Sequence, residues 1–273
     1  MPEPLRLLIL GAHPDDAEIF AGGLASKYRA AGHAVKMVSI TCGDAGHHEL
    51  SGTPLTARRR AEAAASAATI GATSAVWDYH DAQLQPTLEL RWQIIGEIRS
   101  FAPDLVLTHR TNDYHPDHRA VGQAVQDASY LVTVPTVVRD VPILKRDPVV
   151  AYMYDRFTKP APLEPSVVID IGSEMEKIVT MLACHESQAF EWLPFNRGVL
   201  DEVPKDVAGR RAWLREWISD FVRPRADRYR DALVTEYGKK RGPSIEFCEV
   251  YEISEHAGPL TNELRERLFG FVD

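Results

Sequence analysis

Six short apolar runs punctuate the first two-thirds of the chain. Leu5–Gly11 and Val35–Thr41 are continuous rather than alternating, the pattern of strands buried on both faces. Ser74–Tyr79, Asp104–His109, Val149–Tyr154 and Ser166–Ile171 read as four more strands. Between them, apolar positions recur at helical spacing. Arg58–Ile70 is Ala-rich and stops at Gly71, a residue suited to a C-terminal cap. Leu88, Trp92, Ile95 and Ile98 form one stripe, and Val121, Ala124, Val125 and Ala128 another. Ser173 and Glu176 have the spacing of a capping box ahead of Ile178, Val179 and Leu182. The alternation predicts an α/β fold, a mainly parallel sheet with helices on both faces. Such sheets bind ligands beyond the carboxyl ends of their strands.

The pattern changes near Phe190. Residues 190–205 read as an irregular connection containing Pro194, Gly198 and Pro204. Trp213, Trp217 and Phe221 then mark one face of a helix, a core or subunit contact, which Pro224 is expected to end or restart. Arg225–Tyr237 reads as helical and Ser244–Ile253 as a late strand. The expected organisation is one catalytic α/β domain over residues 1–190, with a helical and strand extension over 191–273 packed on the same domain.

Composition narrows the function classes. The 273 residues are 45% hydrophobic and 26% charged, as in an ordinary soluble globular protein. The net charge of −8 disfavours nonspecific binding to nucleic acid or an anionic membrane. No stretch approaches the length of a membrane span, and the apolar run Leu7–Leu10 is too short for a signal peptide core. A cytoplasmic enzyme is the expectation. Three cysteines without CxxC spacing argue for free thiols rather than a disulfide framework.

Two strands end in chemistry. The first runs into His13-Pro14-Asp15-Asp16, and the fourth into a loop holding His115-Pro116-Asp117-His118. His13 and Asp16 are three apart, as are His115 and His118, so a first helical turn would project each pair to one side. Imidazoles plus a carboxylate suit Zn²⁺, and three protein ligands with an open position would make the metal catalytic. A further acidic group left free beside it would be available as a base. Asp15 or Asp16 capping the following helix is the competing reading. A dinucleotide site lacks its glycines, because Gly11, Gly22 and Gly23 do not form G-x-G-x-x-G. Neither a P-loop nor a G-x-S-x-G elbow is present.

The segments Ala12-His13-Pro14-Asp15-Asp16 and His115-Pro116-Asp117-His118 resemble the LmbE-like (PIG-L) family of metal-dependent de-N-acetylases, over about residues 5–190. The resemblance implies a Rossmann-like fold and removal of acetyl from N-acetylglucosamine-type sugars or conjugates. It implies a Zn²⁺ site, with Fe²⁺ or another divalent metal as alternatives, held by His13, Asp16 and His118. It places the general base on Asp15 and oxyanion stabilisation on His115, expected in protonated form. Asp117 is placed to hydrogen-bond an imidazole.

Softer matches put substrate contacts on Asp44, Arg59 and Asp81. Each has a competing reading: Asp44 as a turn residue, Arg59 as a partner of Glu62, and Asp81 as a turn cap. His185-Glu186-Ser187-Gln188 resembles a family segment without an assigned role. The family often reads H-P-D-D-E, whereas here Ala17 follows and Glu18 comes one later. Some relatives carry a Tyr two before the second motif, where this chain has Asp113. His47 and His48 are expected in solvent, and His109 as a support for the site. The expected partner is a small N-acylated sugar or conjugate, with a non-sugar N-acyl amide or a non-catalytic metal- or nucleotide-binding module as alternatives. A homo-oligomer accords with the family.

Overall fold

A computed structural model describes residues 3–272. The chain runs β1 (Arg6–Gly11), α1 (Asp16–Ala30), β2 (Ala34–Thr41), α2 (Gly52–Thr69), β3 (Thr73–Tyr79), α3 (Leu88–Phe101), β4 (Leu105–Thr108), α4 (Pro116–Ala128), β5 (Val149–Met153) and β6 (Val167–Asp170). It continues with α5 (Met175–Cys184), α6 (Leu193–Asn196), α7 (Val207–Arg228), α8 (Arg230–Arg241), β7 (Cys248–Ile253) and α9 (Asn262–Phe269). One sheet of seven strands has the order β3-β2-β1-β4-β5-β7-β6. β1 to β5 pair in parallel, and β7 runs antiparallel to both β5 and β6.

The continuous apolar runs serve two cores. Leu7 and Ile9 of β1 join the cluster beneath α1, α5, α7 and α9, while Leu8 and Leu10 join the one beneath α3 and α4. A strand with both faces covered has no use for alternating polar residues. β1 lies between β2 and β4, so connections leave it in opposite directions, and the crevice beyond its carboxyl end is where such sheets take ligands.

The C-terminal part supplies an interior strand. Glu249 on β7 is buried and accepts the N–H groups of Gly23 (2.6 Å) and Leu24 (2.8 Å) of α1 and the Tyr251 hydroxyl (2.7 Å). Arg225 of α7 donates to the Ile19 carbonyl of α1.

Three local expectations change. α7 passes through Pro224 to Arg228. Pro224 lies on the exposed side while Val222, Arg225 and Ala226 are buried, so packing outweighs the missing hydrogen bond. Ser173 and Glu176 form no capping box; the Ser173 hydroxyl donates to Glu174 at 2.7 Å, within a 3₁₀ turn that leads into α5. The stretch after Phe190 is largely helical, with a π-helical turn at Ser187–Trp192 followed by α6. The three cysteines are free. No helix among the described residues is long and apolar enough to cross a membrane.

Candidate metal centre

The β1–α1 turn is built for close approach. A Cβ on Gly11 would lie 2.9 Å from that of Asp16, so a side chain there would push the first turn of α1 off the strand. The His13 carbonyl accepts the N–H groups of Asp15 (3.0 Å) and Asp16 (3.2 Å), and Asp16 Oδ2 accepts the His13 N–H at 2.7 Å. Asp15, between them, has φ 154°. Such a conformation costs of order 1–3 kcal/mol in a non-glycine residue and persists where surrounding contacts over-determine it. Neither capping alternative holds in its simple form. Asp15 occupies the N-cap position without a side-chain cap bond, and Asp16 already lies in the first turn.

The second cluster arrives on α4. Pro116 opens the helix, and His115 Nδ1 accepts the Asp117 N–H at 3.2 Å as the N-cap. His118 then points to the β1 turn. Its Nε2 lies 3.3 Å from His13 Nδ1 and 3.4 Å from Asp16 Oδ1, and His13 Nδ1 lies 3.5 Å from Asp16 Oδ2. Zinc–ligand bonds of about 2.0–2.1 Å at tetrahedral angles put ligand atoms about 3.3–3.4 Å apart. The donor spacing fits a divalent ion.

The charges make the same point. Burial alone would lower the pKa of His118, but Asp16 and Asp113 push it up to about 9. Burial likewise opposes charge on His13, yet Asp117, Asp16 and Asp81 hold it well above the ordinary imidazole range. Both rings are thus drawn towards protonation while two of their nitrogens face each other at 3.3 Å. Two imidazolium N–H groups cannot share that gap, whereas one cation accepted by both nitrogens can. For Asp16, burial is outweighed by His118 and His109, which keep its carboxyl well below the ordinary range.

Carboxylates back the outward nitrogens. Asp81 Oδ1 and Asp117 Oδ2 lie 3.1 and 3.4 Å from His13 Nε2, and Asp113 Oδ1 lies 3.2 Å from His118 Nδ1. Asp117, fully buried, also accepts the N–H groups of Ala82 (2.7 Å) and Leu84 (3.2 Å), which ties the loop after β3 to α4. His109 stacks on His118 with centroids 3.9 Å apart and planes 11° from parallel. Such outer contacts fix ring orientation and raise ligand basicity.

His115 lies beside His13, with ring centroids 4.5 Å apart. Burial and the neighbouring His13 and His118 lower its pKa. Because its Nδ1 accepts a backbone N–H, that nitrogen carries no proton. Both influences favour the neutral ring, with its proton on Nε2, over the imidazolium.

Asp15 is absent from the converging donor groups. Burial pushes its carboxyl up to about 6, against the pull of the Arg59 guanidinium and with a push from Asp16. Arg59 is buried. Its Nη2 lies 3.3 Å from Asp15 Oδ1 and donates to the Pro14 carbonyl at 2.9 Å. Gly43, at φ +67°, makes room for it, since a Cβ there would fall 2.3 Å from Arg59 Nη1. The contacts Arg59 makes in the structure are this hold on Asp15 and the bond to Pro14. Glu62, its alternative partner, is taken by Arg58 and Ser187.

The remaining expectations divide. Asp81 is brought to His13. Asp44 is turned to the β3 loop, its Oδ1 accepting the Asp81 N–H at 2.9 Å and its Oδ2 lying 2.7 Å from His80 Nδ1. His47 and His48 are half-buried rather than in solvent, with His48 stacked on Phe195 at 4.1 Å. The segment after α5 acts as a clamp: His185 Nε2 meets Glu18 at 3.0 Å, Ser187 donates to Glu62 at 2.6 Å, and Gln188 donates to the Gly46 carbonyl at 3.0 Å. Sequence reasoning left Glu18 and Asp113 without roles. Their acidic character beside the two motifs was the available signal.

Comparison with known proteins places this geometry. Residues 8–129 match the GlcNAc-PI de-N-acetylase family, PIG-L. Diacetylchitobiose deacetylase of Thermococcus kodakarensis is 30% identical over 209 residues, covering 71% of this chain and 76% of the relative. 4-Oxalmesaconate hydratase of Pseudomonas putida is 24% identical over 201 residues, covering 71% and 78%. The structure of N,N'-diacetylchitobiose deacetylase from Pyrococcus horikoshii superposes with a TM-score of 0.67 at 24% identity, over 92% of this chain and 84% of that one. With both histidine–aspartate motifs inside the matched span, the chain belongs to the PIG-L family of LmbE-like de-N-acetylases.

Proposed function

We propose that this protein is a zinc-dependent hydrolase that removes an acetyl group from the amide nitrogen of an N-acetylglucosamine-type sugar or conjugate. The observation that carries this reading is the convergence of His13, Asp16 and His118 on one point with the Asp15 carboxylate left outside the donor set. His13 Nδ1, Asp16 and His118 Nε2 would hold the ion. A divalent metal there lowers the pKa of water towards ~7 and polarises the amide carbonyl.

The protein's own groups do the rest. Asp15, fixed by Arg59 and poised by burial, takes the proton of the attacking water. His115 Nε2–H donates to the carbonyl oxygen as negative charge gathers on it, and the Asp117 N–H on Nδ1 keeps the required tautomer. The proton held by Asp15 passes to the leaving nitrogen, giving acetate and a free amine. Asp81, Asp117 and Asp113 hold the two ligand imidazoles in register.

Acetate release from metal-loaded protein on a panel of N-acetylated sugars and acylated non-sugar amines tests the reading. Acetate from the sugars supports it, and release from the non-sugar amines alone moves the substrate class. The hydratase relative supports a second reading, addition of water to a carbon–carbon double bond by the same water-activating groups. An unsaturated dicarboxylate in the panel separates the two. Its hydration without any acetate release would replace the first reading with the second.

A further inference from the structure

We propose a second transition-metal site, independent of the first, between the loops that follow β2 and β3, with Cys42 Sγ, an Asp44 carboxylate oxygen and a His80 ring nitrogen as its ligands. The three donor atoms lie within 4.8 Å of one another. The register of the sheet brings them together: the Cys42 N–H donates to the Tyr79 carbonyl at 2.8 Å, so the residue after β2 faces the residue before His80. Asp44 Oδ2 lies 2.7 Å from His80 Nδ1, so carboxylate and imidazole are already paired, with the thiol within 4.8 Å of both. A tetrahedral ion needs edges of about 3.3–3.6 Å, so the Asp44–His80 contact must lengthen on binding.

The chemistry of the set selects the ligand. A thiolate with an imidazole favours zinc, cobalt or cadmium over magnesium or calcium. Cys42 is buried and gives up its thiol proton on binding, while the His80 side chain is 65% exposed and offers an entry path. The remaining coordination position is left to solvent. Occupancy would pin together two loops, the second of which also carries Asp81, 3.1 Å from His13 Nε2.

The two sites differ in one readable respect. The His13/Asp16/His118 set has no sulfur, so a thiolate-to-cobalt charge-transfer band reports the second site alone. Full-length protein carrying one equivalent of zinc is titrated with Co²⁺. The band is expected to appear and saturate at one further equivalent. It should be lost in Cys42→Ser and require at least about tenfold more cobalt in His80→Ala. His80 is exposed, so that variant folds whatever the fate of the buried one. No band in the wild type at millimolar Co²⁺, a band that persists in Cys42→Ser, or an unchanged midpoint in His80→Ala would overturn the proposal. Each of these outcomes leaves acetate release, and with it the reading of the first site, untouched.

Discussion

His118 Nε2 faces His13 Nδ1 across 3.3 Å, although the two residues stand 105 positions apart in the chain. The contact exists because β1 and β4 are hydrogen-bonded neighbours and each feeds a helix whose first turn carries one of the converging donors. Asp16 completes the set, and Asp15 stands beside it with a different partner.

That division of labour sets the outcome expected of one variant. Asp15→Asn should keep its metal and lose about 10²–10⁴-fold in turnover, because the base is gone and the ligands are not. Turnover within threefold of wild type, measured as acetate release at saturating substrate, would take the base away from Asp15.

Asp113 bears on the metal through His118 Nδ1. Asp113→Asn should weaken zinc binding by about 10–100-fold in competition with a chelator, with little change in thermal stability of the zinc-free protein. Equal affinities in the two proteins would show that the contact does not orient the ring.

Asp147 makes a pH prediction away from the site. Burial pushes its carboxyl up to about 6, and its Oδ1 has no hydrogen-bond partner among the described residues. A carboxyl whose folded pKa exceeds its unfolded value favours the native state at low pH and destabilises it as pH rises through 6. Asp147→Asn removes this dependence. The melting temperature of the variant minus that of the wild type should rise between pH 4 and pH 7 and then level off. A difference that is flat over this range would contradict the shift.

Glu249 ties the C-terminal part to α1. Glu249→Ala would remove a buried acceptor shared by the N–H groups of Gly23 and Leu24 and the Tyr251 hydroxyl. A loss of roughly 3 kcal/mol or more in denaturant unfolding is expected. A loss below about 1 kcal/mol would show that the tail is held by other contacts.

Much of the scaffold was legible because its strands are buried on both faces. Leu5–Gly11 and Val35–Thr41 coincide almost entirely with β1 and β2, since a strand between two cores is mostly apolar on both faces. Helix ends were less legible. Pro224 and the Ser173/Glu176 pair obey local rules that packing overrides, on the solvent face of α7 and in the turn before α5. At the site, the motif residues were visible because each follows directly on a strand. Their supports were not, because those contacts span the fold. Arg59 reaches Asp15, His109 stacks on His118, and His185 meets Glu18 across 167 positions. The hydrogen-bonding of His115 is hidden from the sequence for a related reason. Spacing shows that a histidine precedes a helix, but only the N-cap hydrogen bond shows which ring nitrogen is bare.

X-ray absorption spectroscopy on Cys42→Ser protein carrying a single equivalent of zinc tests the central claim most directly. Two imidazole nitrogens and one carboxylate oxygen at about 2.0–2.2 Å, no sulfur neighbour, and one imidazole fewer in His118→Ala are the predicted result. A sulfur shell at about 2.3 Å, or an imidazole count indifferent to the loss of His118, would contradict it.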